Sequence, residues 1–260
     1  MIALIDADIL AYQAAATSEK AIKWDDDIWT LHSFESEAQQ HFDNMVKTIT
    51  DKAGCETYVL CWTDSANWRK HILPSYKSNR AATRKPIVLS AIRKWAQENY
   101  ESRIIPNLEG DDILGLMATD PDMKDKVIVC TIDKDLKTIP ANHYHFTKDE
   151  HFTVNEHEAD LYHMMQTLTG DPTDGYKGCP SIGGVTAKKI LDKVMEEATP
   201  WANQKQLNAM MWEAVVATYA KAGLGEQEAL VQAQVARILR YPEYAFKQGR
   251  VKQWQPEKLK

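Results

Sequence analysis

The sequence predicts an α/β fold, a mostly parallel central sheet flanked by helices, followed by a helical lobe. Three observations predict it. Short apolar runs alternate with stretches of helical period up to residue 152, several of those runs stop at an acid, and beyond Thr153 only helical spacing remains.

In chain order, Ile2–Ile5 reads as a buried strand, Ile9–Thr17 as a helix, and Ala38–Ala53 as a helix with Phe42, Met45, Val46 and Ile49 on one face. Asp25-Asp26-Asp27, between Trp24 and Trp29, reads as a solvated turn. Tyr58–Trp62 is the next strand. The chain is loop-like to Lys85, then helical from Pro86 to Tyr100, with proline at a helix start. Arg103–Ile105 (strand), Asp111–Ala118 (helix), Val127–Ile132 (strand) and Tyr144–Phe146 (strand) complete the first part. The lobe then holds helices over Asn155–Leu168, Val185–Val194, Ala209–Ala222 and Glu228–Arg240, with Gly170–Gly178 a loop. The aromatic tail Tyr241–Trp254 either packs on the core or meets a partner.

Composition narrows the classes. With 260 residues, 44% of them hydrophobic, and no apolar stretch of membrane-spanning length, the chain can bury a sizeable core. Its opening Met-Ile-Ala-Leu-Ile-Asp has no basic leader, and a cytoplasmic protein is expected, in the host cytoplasm if it is phage-encoded. Cys55, Cys61, Cys130 and Cys179 lack metal or disulfide spacing and read as buried thiols. The histidines at 143, 145, 151, 157 and 163 lack the spacing of a zinc site.

Asp6, Asp64 and Asp133 each follow a run that reads as a buried strand, so a parallel sheet would bring several negative charges to one edge. Such a cluster repels itself unless divalent cations fill it, and oxygen-only donors select Mg²⁺ or Mn²⁺. Net charge is −6, yet Ala66–Gln97 carries eight basic residues and no acid, which suits a phosphate backbone. Downstream, Gly178–Leu191 is a glycine-containing turn that leads into a helix, able to offer amides to phosphate beside Lys188 and Lys189. A plain helix–turn–helix with two solvated lysines is the alternative there.

The order Asp6, Asp64, Glu109-x-Asp111-Asp112, Asp133-x-Asp135 and Gly170-Asp171-x-x-Asp174 running into that turn resembles the 5′-nuclease superfamily over roughly residues 1–195. Flap endonucleases, the 5′-nuclease domain of bacterial DNA polymerase I and bacteriophage 5′→3′ exonucleases are its members, and the chain looks most like a stand-alone phage enzyme. The resemblance implies a PIN-like catalytic core over 1–152 that includes a helical arch at 66–103. It also implies a lobe at 153–260 with a helix–hairpin–helix-type (H3TH) duplex-binding motif at 168–194.

The resemblance further implies one metal within Asp6, Asp64, Glu109 and Asp111, and a second around Asp112, Asp133, Asp135, Asp171 and Asp174. Two Mg²⁺ or Mn²⁺ ions about 4 Å apart would then serve in-line attack on a phosphodiester, with Asp6, Glu109, Asp111 and Asp133 as the catalytic acids. Tyr76-Lys77-Ser78-Asn79-Arg80 resembles the family's Tyr-Lys-x-x-Arg segment, so Lys77 and Arg80 would neutralise the scissile phosphate. Tyr76 would stack on a base and Arg69 would contact the backbone. Arg84 and Lys85, with Arg93 and Lys94, are either backbone contacts or a solvated face. At the hairpin, Ser181, Gly183, Gly184, Lys188 and Lys189 would hold duplex, with K⁺ a candidate ion there.

Ser181 stands where the family's hairpin usually has glycine, and Gly184 where a non-glycine is common. Asp8 reads as a helix N-cap, with an outer-sphere ligand as the alternative. The expected substrate is double-stranded DNA with a free 5′ end, nick or flap, or an RNA–DNA hybrid, with no membrane role. A non-catalytic nucleic-acid-binding protein and a compact PIN-type ribonuclease are the competing readings. The first requires missing carboxylates, and the second usually has fewer acids and no helical lobe.

Overall fold

A computed structural model describes residues 1–257. Its elements in chain order are β1 (Ile2–Asp6), α1 (Ala7–Thr17), β2 (Lys20–Asp25), β3 (Ile28–His32), α2 (Glu35–Lys52), β4 (Thr57–Cys61) and α3 (Arg69–Ile72). There follow α4 (Leu89–Asn99), β5 (Ser102–Arg103), α5 (Gly110–Ala118), β6 (Val127–Cys130), β7 (Ala141–His145) and β8 (Glu150–Val154). The lobe adds α6 (Glu156–Thr169), α7 (Gly184–Glu197), α8 (Gln204–Lys221), α9 (Glu226–Ala236), β9 (Tyr244–Ala245) and β10 (Arg250–Val251). Among the described residues no helix is long and apolar enough to cross a membrane.

The chain forms two compact units. The first comprises Met1–Ala66, Thr83–Lys134 and Ala141–Thr153; the second takes Asn67–Ala82, Asp135–Pro140 and the chain from Val154 onward. The switch near 153 falls where helical spacing takes over. The expected arch over 66–103 is divided between the units, because α3 and the 3₁₀ turn Ser78–Ala82 pack with the lobe while α4 packs on α1 and α2.

In the first unit the sheet order is β5-β4-β1-β6-β7-β8. β1 runs parallel to both β4 and β6, β4 to β5, and β6 to β7. Parallel strands covered by helices are apolar throughout, and Ala3, Leu4 and Ile5 of β1 are fully buried. Alanines 7, 11, 14 and 15 make α1 thin on its buried side, which lets α2 and α4 approach it. Phe42 of α2 stacks 6.1 Å from Trp62, whose indole N–H donates to Ser102 Oγ at 3.0 Å.

β2 and β3 differ from expectation. The acidic turn is the tip of an antiparallel hairpin exposed along its whole length, with Trp24 68% and Trp29 60% exposed.

The second unit packs α6–α9 around Met164, Leu168, Leu191, Met211 and Val215. Helix α9 stops at Ala236, short of the expected Arg240, because Arg237 and Arg240 turn inward to Glu243 and Asp160 at 2.9 and 2.8 Å. Of the aromatic tail, Trp254 packs edge-on against Trp212 and His163, at 5.3 and 5.1 Å.

Candidate active site and nucleic-acid interface

In the first unit the acids lie where the parallel strands end. Asp6 closes β1 opposite Cys61 of β4, and its side chain caps α1 by accepting the Ile9 N–H at 3.5 Å. Its other oxygen accepts the Thr131 hydroxyl at 3.1 Å, while Thr131 Oγ1 accepts the Asp133 N–H at 3.0 Å. One threonine, directly after β6, thus ties the two acids together, a role the sequence reading missed. Only 5% exposed, the Asp6 carboxyl is pushed up to about 7 by burial and by the charges of Asp8 and Asp133.

Asp8 corrects an expectation. Asp6, not Asp8, is the cap; Asp8 accepts the Thr63 N–H at 2.8 Å and pairs with Arg93 at 3.2 Å. Arg93 also donates to the Thr63 carbonyl at 2.7 Å, so it buttresses the acid edge rather than lying on a solvated face. Thr63 in turn accepts the Gly110 N–H at 2.9 Å, which brings the start of α5 to the same place. A Cβ on Gly110 would sit 3.1 Å from the Cys61 carbonyl and 3.5 Å from Asp8 Oδ2. Glycine there lets Glu109 and Asp111 flank the end of β4, and burial together with Asp6, Asp111 and Asp8 raises the Cys61 thiol.

Two predicted ligands also accept backbone bonds. Asp112, fully buried, caps α5 by accepting the Glu109 N–H at 3.2 Å. Asp64 accepts the Asn107 N–H at 2.8 Å, and this bond with the amides of Ser65 and Ala66 holds its carboxyl below the usual range. It ties the exit of β4 to the loop before α5, and the acids that lift Asp6 are Asp8 and Asp133 instead. Among the described residues no three carboxylate, thiol or imidazole side chains close into a metal cage. The residues nevertheless fit a divalent cation: the donors are oxygens, and Asp6 is a buried acid whose charge is opposed by neighbouring acids.

In the second unit the segment Tyr76–Arg80 is docked on the turn Asp171–Gly175. Asp174 receives the Tyr76 hydroxyl at 2.8 Å, the Arg80 guanidinium at 2.5 Å and the Lys77 ammonium at 3.4 Å. The Lys77 N–H donates to the Asp174 carbonyl at 2.8 Å, and Asn79 donates to the Pro172 carbonyl at 3.0 Å. Asp171 builds the turn by accepting the Thr173 N–H at 2.7 Å. Gly170 and Gly178, both at positive φ, pinch this loop shut; a Cβ on Gly170 would lie 2.3 Å from the Lys177 carbonyl carbon. Burial together with Asp135, Asp171 and Asp174 raises the Tyr176 hydroxyl, so these three predicted ligands gather around one phenol.

Arg69 and Tyr76 require correction. Both are 2% exposed: Arg69 donates to the carbonyls of Val235 and Arg237, at 2.9 and 2.6 Å, and lies over Trp68 at 4.6 Å. They brace the second unit and cannot reach a base or a phosphate. Lys77 and Arg80 stay accessible, at 18% and 49%. Arg84 is spent on Glu19 in a bidentate pair, whereas Lys85 is exposed.

The predicted hairpin presents Ser181, Gly183, Gly184, Lys188 and Lys189 on the surface. Gly183 caps α7, and nothing lies within 4 Å of a Cβ built on Gly183 or Gly184, so their backbone is open to an approaching phosphate. Ser181 has φ +62°, the left-handed conformation that explains why glycine is usual there. Lys188 pairs with Asp192 one turn on, at 2.7 Å, an exposed contact worth little.

The family described as 5′-3′ exonuclease, N-terminal resolvase-like domain, matches residues 1–166. An exodeoxyribonuclease of Enterobacteria phage T3 and an exonuclease of Escherichia phage T7 are each 32% identical, across 98% of this chain and 93% of theirs. A flap endonuclease, Xni, of Vibrio campbellii is 27% identical over 53% of this chain and 58% of its own. The fold is also similar to that of the bacteriophage T5 flap endonuclease, solved as a pseudo-enzyme–product complex with DNA and metal ions. That likeness covers 90% of this chain and 92% of the other, with TM-score 0.58 and 13% identity.

Proposed function

This chain belongs to the 5′–3′ exonuclease family of the 5′-nuclease superfamily and is a nuclease, and from that premise we propose that it cleaves DNA at free 5′ ends, nicks and flaps with divalent metal ions. RNA in RNA–DNA hybrids is a proposed second substrate, DNA replication or repair the proposed setting, and the cytoplasm, of the host if phage-encoded, the proposed place. The observation that carries this reading is the buried Asp6, opposed by Asp8 and Asp133 and lifted to about 7.

Asp6, Asp64, Glu109, Asp111, Asp112 and Asp133 of the first unit are the proposed holders of Mg²⁺ or Mn²⁺, and Asp135, Asp171 and Asp174 of the second are further proposed ligands. Two bound ions would activate water and stabilise the leaving oxygen in an in-line displacement. Thr131 fixes the rotamer of Asp6 and the backbone of Asp133, so neither needs to reorganise. Arg93 holds Asp8 in place. Lys77 and Arg80 would neutralise charge on the scissile phosphate, a role more of the transition state than of binding. The amides at Gly183 and Gly184, with Lys188 and Lys189, would grip duplex backbone without reading sequence. The hairpin is also the proposed seat of a K⁺ ion.

The test uses 5′-labelled and 3′-labelled duplex, nicked and flapped DNA with Mg²⁺ and with EDTA. Metal-dependent release of mononucleotides or short 5′ oligonucleotides is expected. Intact substrates in Mg²⁺, or full cleavage in EDTA, would refute the reading.

A further inference from the structure

Directly after Asp133 the chain makes a 3₁₀ turn, Lys134–Thr138, which carries Asp135. Leu136, Thr138 and Ile139 are fully buried, so the backbone groups of this stretch need partners inside the protein. The Thr138 hydroxyl donates to the Asp135 carbonyl at 2.8 Å, and the Ile139 N–H to the Leu136 carbonyl at 3.0 Å. The Thr138 carbonyl accepts Arg240 Nη2 at 2.9 Å, a bond that spans 102 residues of chain.

Arg240 is itself held from behind. Its Nη2 pairs with Asp160 Oδ1 at 2.8 Å, and its backbone N–H donates to Glu243 at 2.7 Å. Asp160 is fixed in turn from α8, where Gln204 and Asn208 each donate to Oδ2 at 2.9 Å. Glu243 also receives Arg237, at 2.9 Å. Burial and the neighbouring Arg237 bring the Arg240 guanidinium down to about 10, which leaves it cationic at neutral pH. A planar fork tied to a fixed carboxylate gives the carbonyl it bonds little freedom to move. The turn carries Asp135 to the Tyr176 phenol, where Asp171 and Asp174 also lie.

We propose that Arg240 is a positioning residue for Asp135: backed by Asp160, it pins the Thr138 carbonyl and so sets where the Asp135 carboxylate stands relative to Asp171 and Asp174. The proposal rests on the nuclease reading above, in which these acids are metal ligands, and adds the residue that sets their geometry. At 8% exposure, Arg240 acts through the backbone of the turn and not on DNA.

The experiment compares wild type, Arg240→Met, Arg240→Lys and Thr138→Val, first by amide hydrogen exchange with mass spectrometry in EDTA. In Arg240→Met, residues 134–139 are expected to exchange about tenfold faster, while α7 and α8 change less than about twofold. Arg240→Lys keeps a charge beside Asp160 but lacks the fork, and should fall in between. Thr138→Val removes the hydroxyl bond to the Asp135 carbonyl and should loosen the same stretch. The second arm measures cleavage of flapped DNA over a range of Mn²⁺ concentrations. Losing a residue that orients a ligand weakens metal binding about 10–100-fold, so half-maximal Mn²⁺ should rise about tenfold or more in Arg240→Met. At saturating Mn²⁺, kcat should return to within about threefold of wild type, and KM for DNA should stay within about twofold. Equal loosening across the lobe, unchanged exchange over 134–139, or a fall in kcat that Mn²⁺ does not restore would overturn the proposal. If Arg240→Met does not fold, Arg240→Lys and Thr138→Val decide by the same criteria. A wild type that cleaves nothing refutes the nuclease reading, whereas the exchange arm, free of metal and DNA, judges the hold of Arg240 on the turn by itself.

Discussion

Asp6 meets three demands at once: it ends a buried strand, caps a helix and shares its surroundings with Asp8 and Asp133. Its carboxyl lies above the ordinary 3.8, at about 7, so the folded chain binds a proton there that the unfolded chain has released. The sign follows directly. Without metal, Asp6 costs increasing stability as pH rises from about 4 to about 7, and Asp6→Asn should gain in melting temperature over wild type across that window. Parallel thermal unfolding in EDTA from pH 4 to 8 checks this; a constant difference would contradict it. Lys77→Ala should lower kcat by about a hundredfold with a smaller change in KM, since developing charge is its proposed partner. A change confined to KM would remove that role. The acids were legible because each follows an apolar run. The burial of Arg69 and Tyr76 was not, because a basic stretch does not reveal which of its members turn inward to carbonyls and carboxylates.

At the scale of elements, the loop between α6 and α7 is governed by backbone conformation. Gly170→Ala combines a positive φ with a Cβ 2.3 Å from backbone, and should destabilise the protein by about 3 kcal/mol or more in urea unfolding. Ser181→Gly should act the other way, gaining about 1 kcal/mol by relieving a left-handed φ of +62°. A destabilised Ser181→Gly would mean that the turn needs the side chain. Periodicity made β1, β4, β6 and the helices α1, α2, α4 and α5 of the first unit legible, whereas β7 lies earlier than expected and the largely exposed β8 carried no signal. The β2–β3 hairpin was not legible: apolar residues occur on both of its faces, so alternation carried no signal. The end of α9 was set by ion pairs to distant residues, which no local spacing encodes.

For the whole molecule, helical spacing takes over near residue 153, and the second unit takes the chain from Val154 onward together with two short insertions, 67–82 and 135–140, whose place in it sequence order conceals. The charge distribution gives the prediction at this scale. With a net charge of −6, the proposed DNA binding has to run through local basic surfaces, so Lys188→Ala with Lys189→Ala should weaken duplex binding alike for all sequences and reduce the salt slope by about 1–2. A sequence-selective loss would contradict backbone recognition. The central claim is that the acid edge is a divalent-metal site that drives hydrolysis. Calorimetric titration of Mn²⁺ into wild type and Asp6→Asn/Asp133→Asn, each then assayed on flapped DNA, tests it most directly. The account predicts saturable Mn²⁺ binding by wild type that is lost together with cleavage in the double variant, while duplex binding survives. Unchanged Mn²⁺ binding or undiminished cleavage in that variant would contradict it.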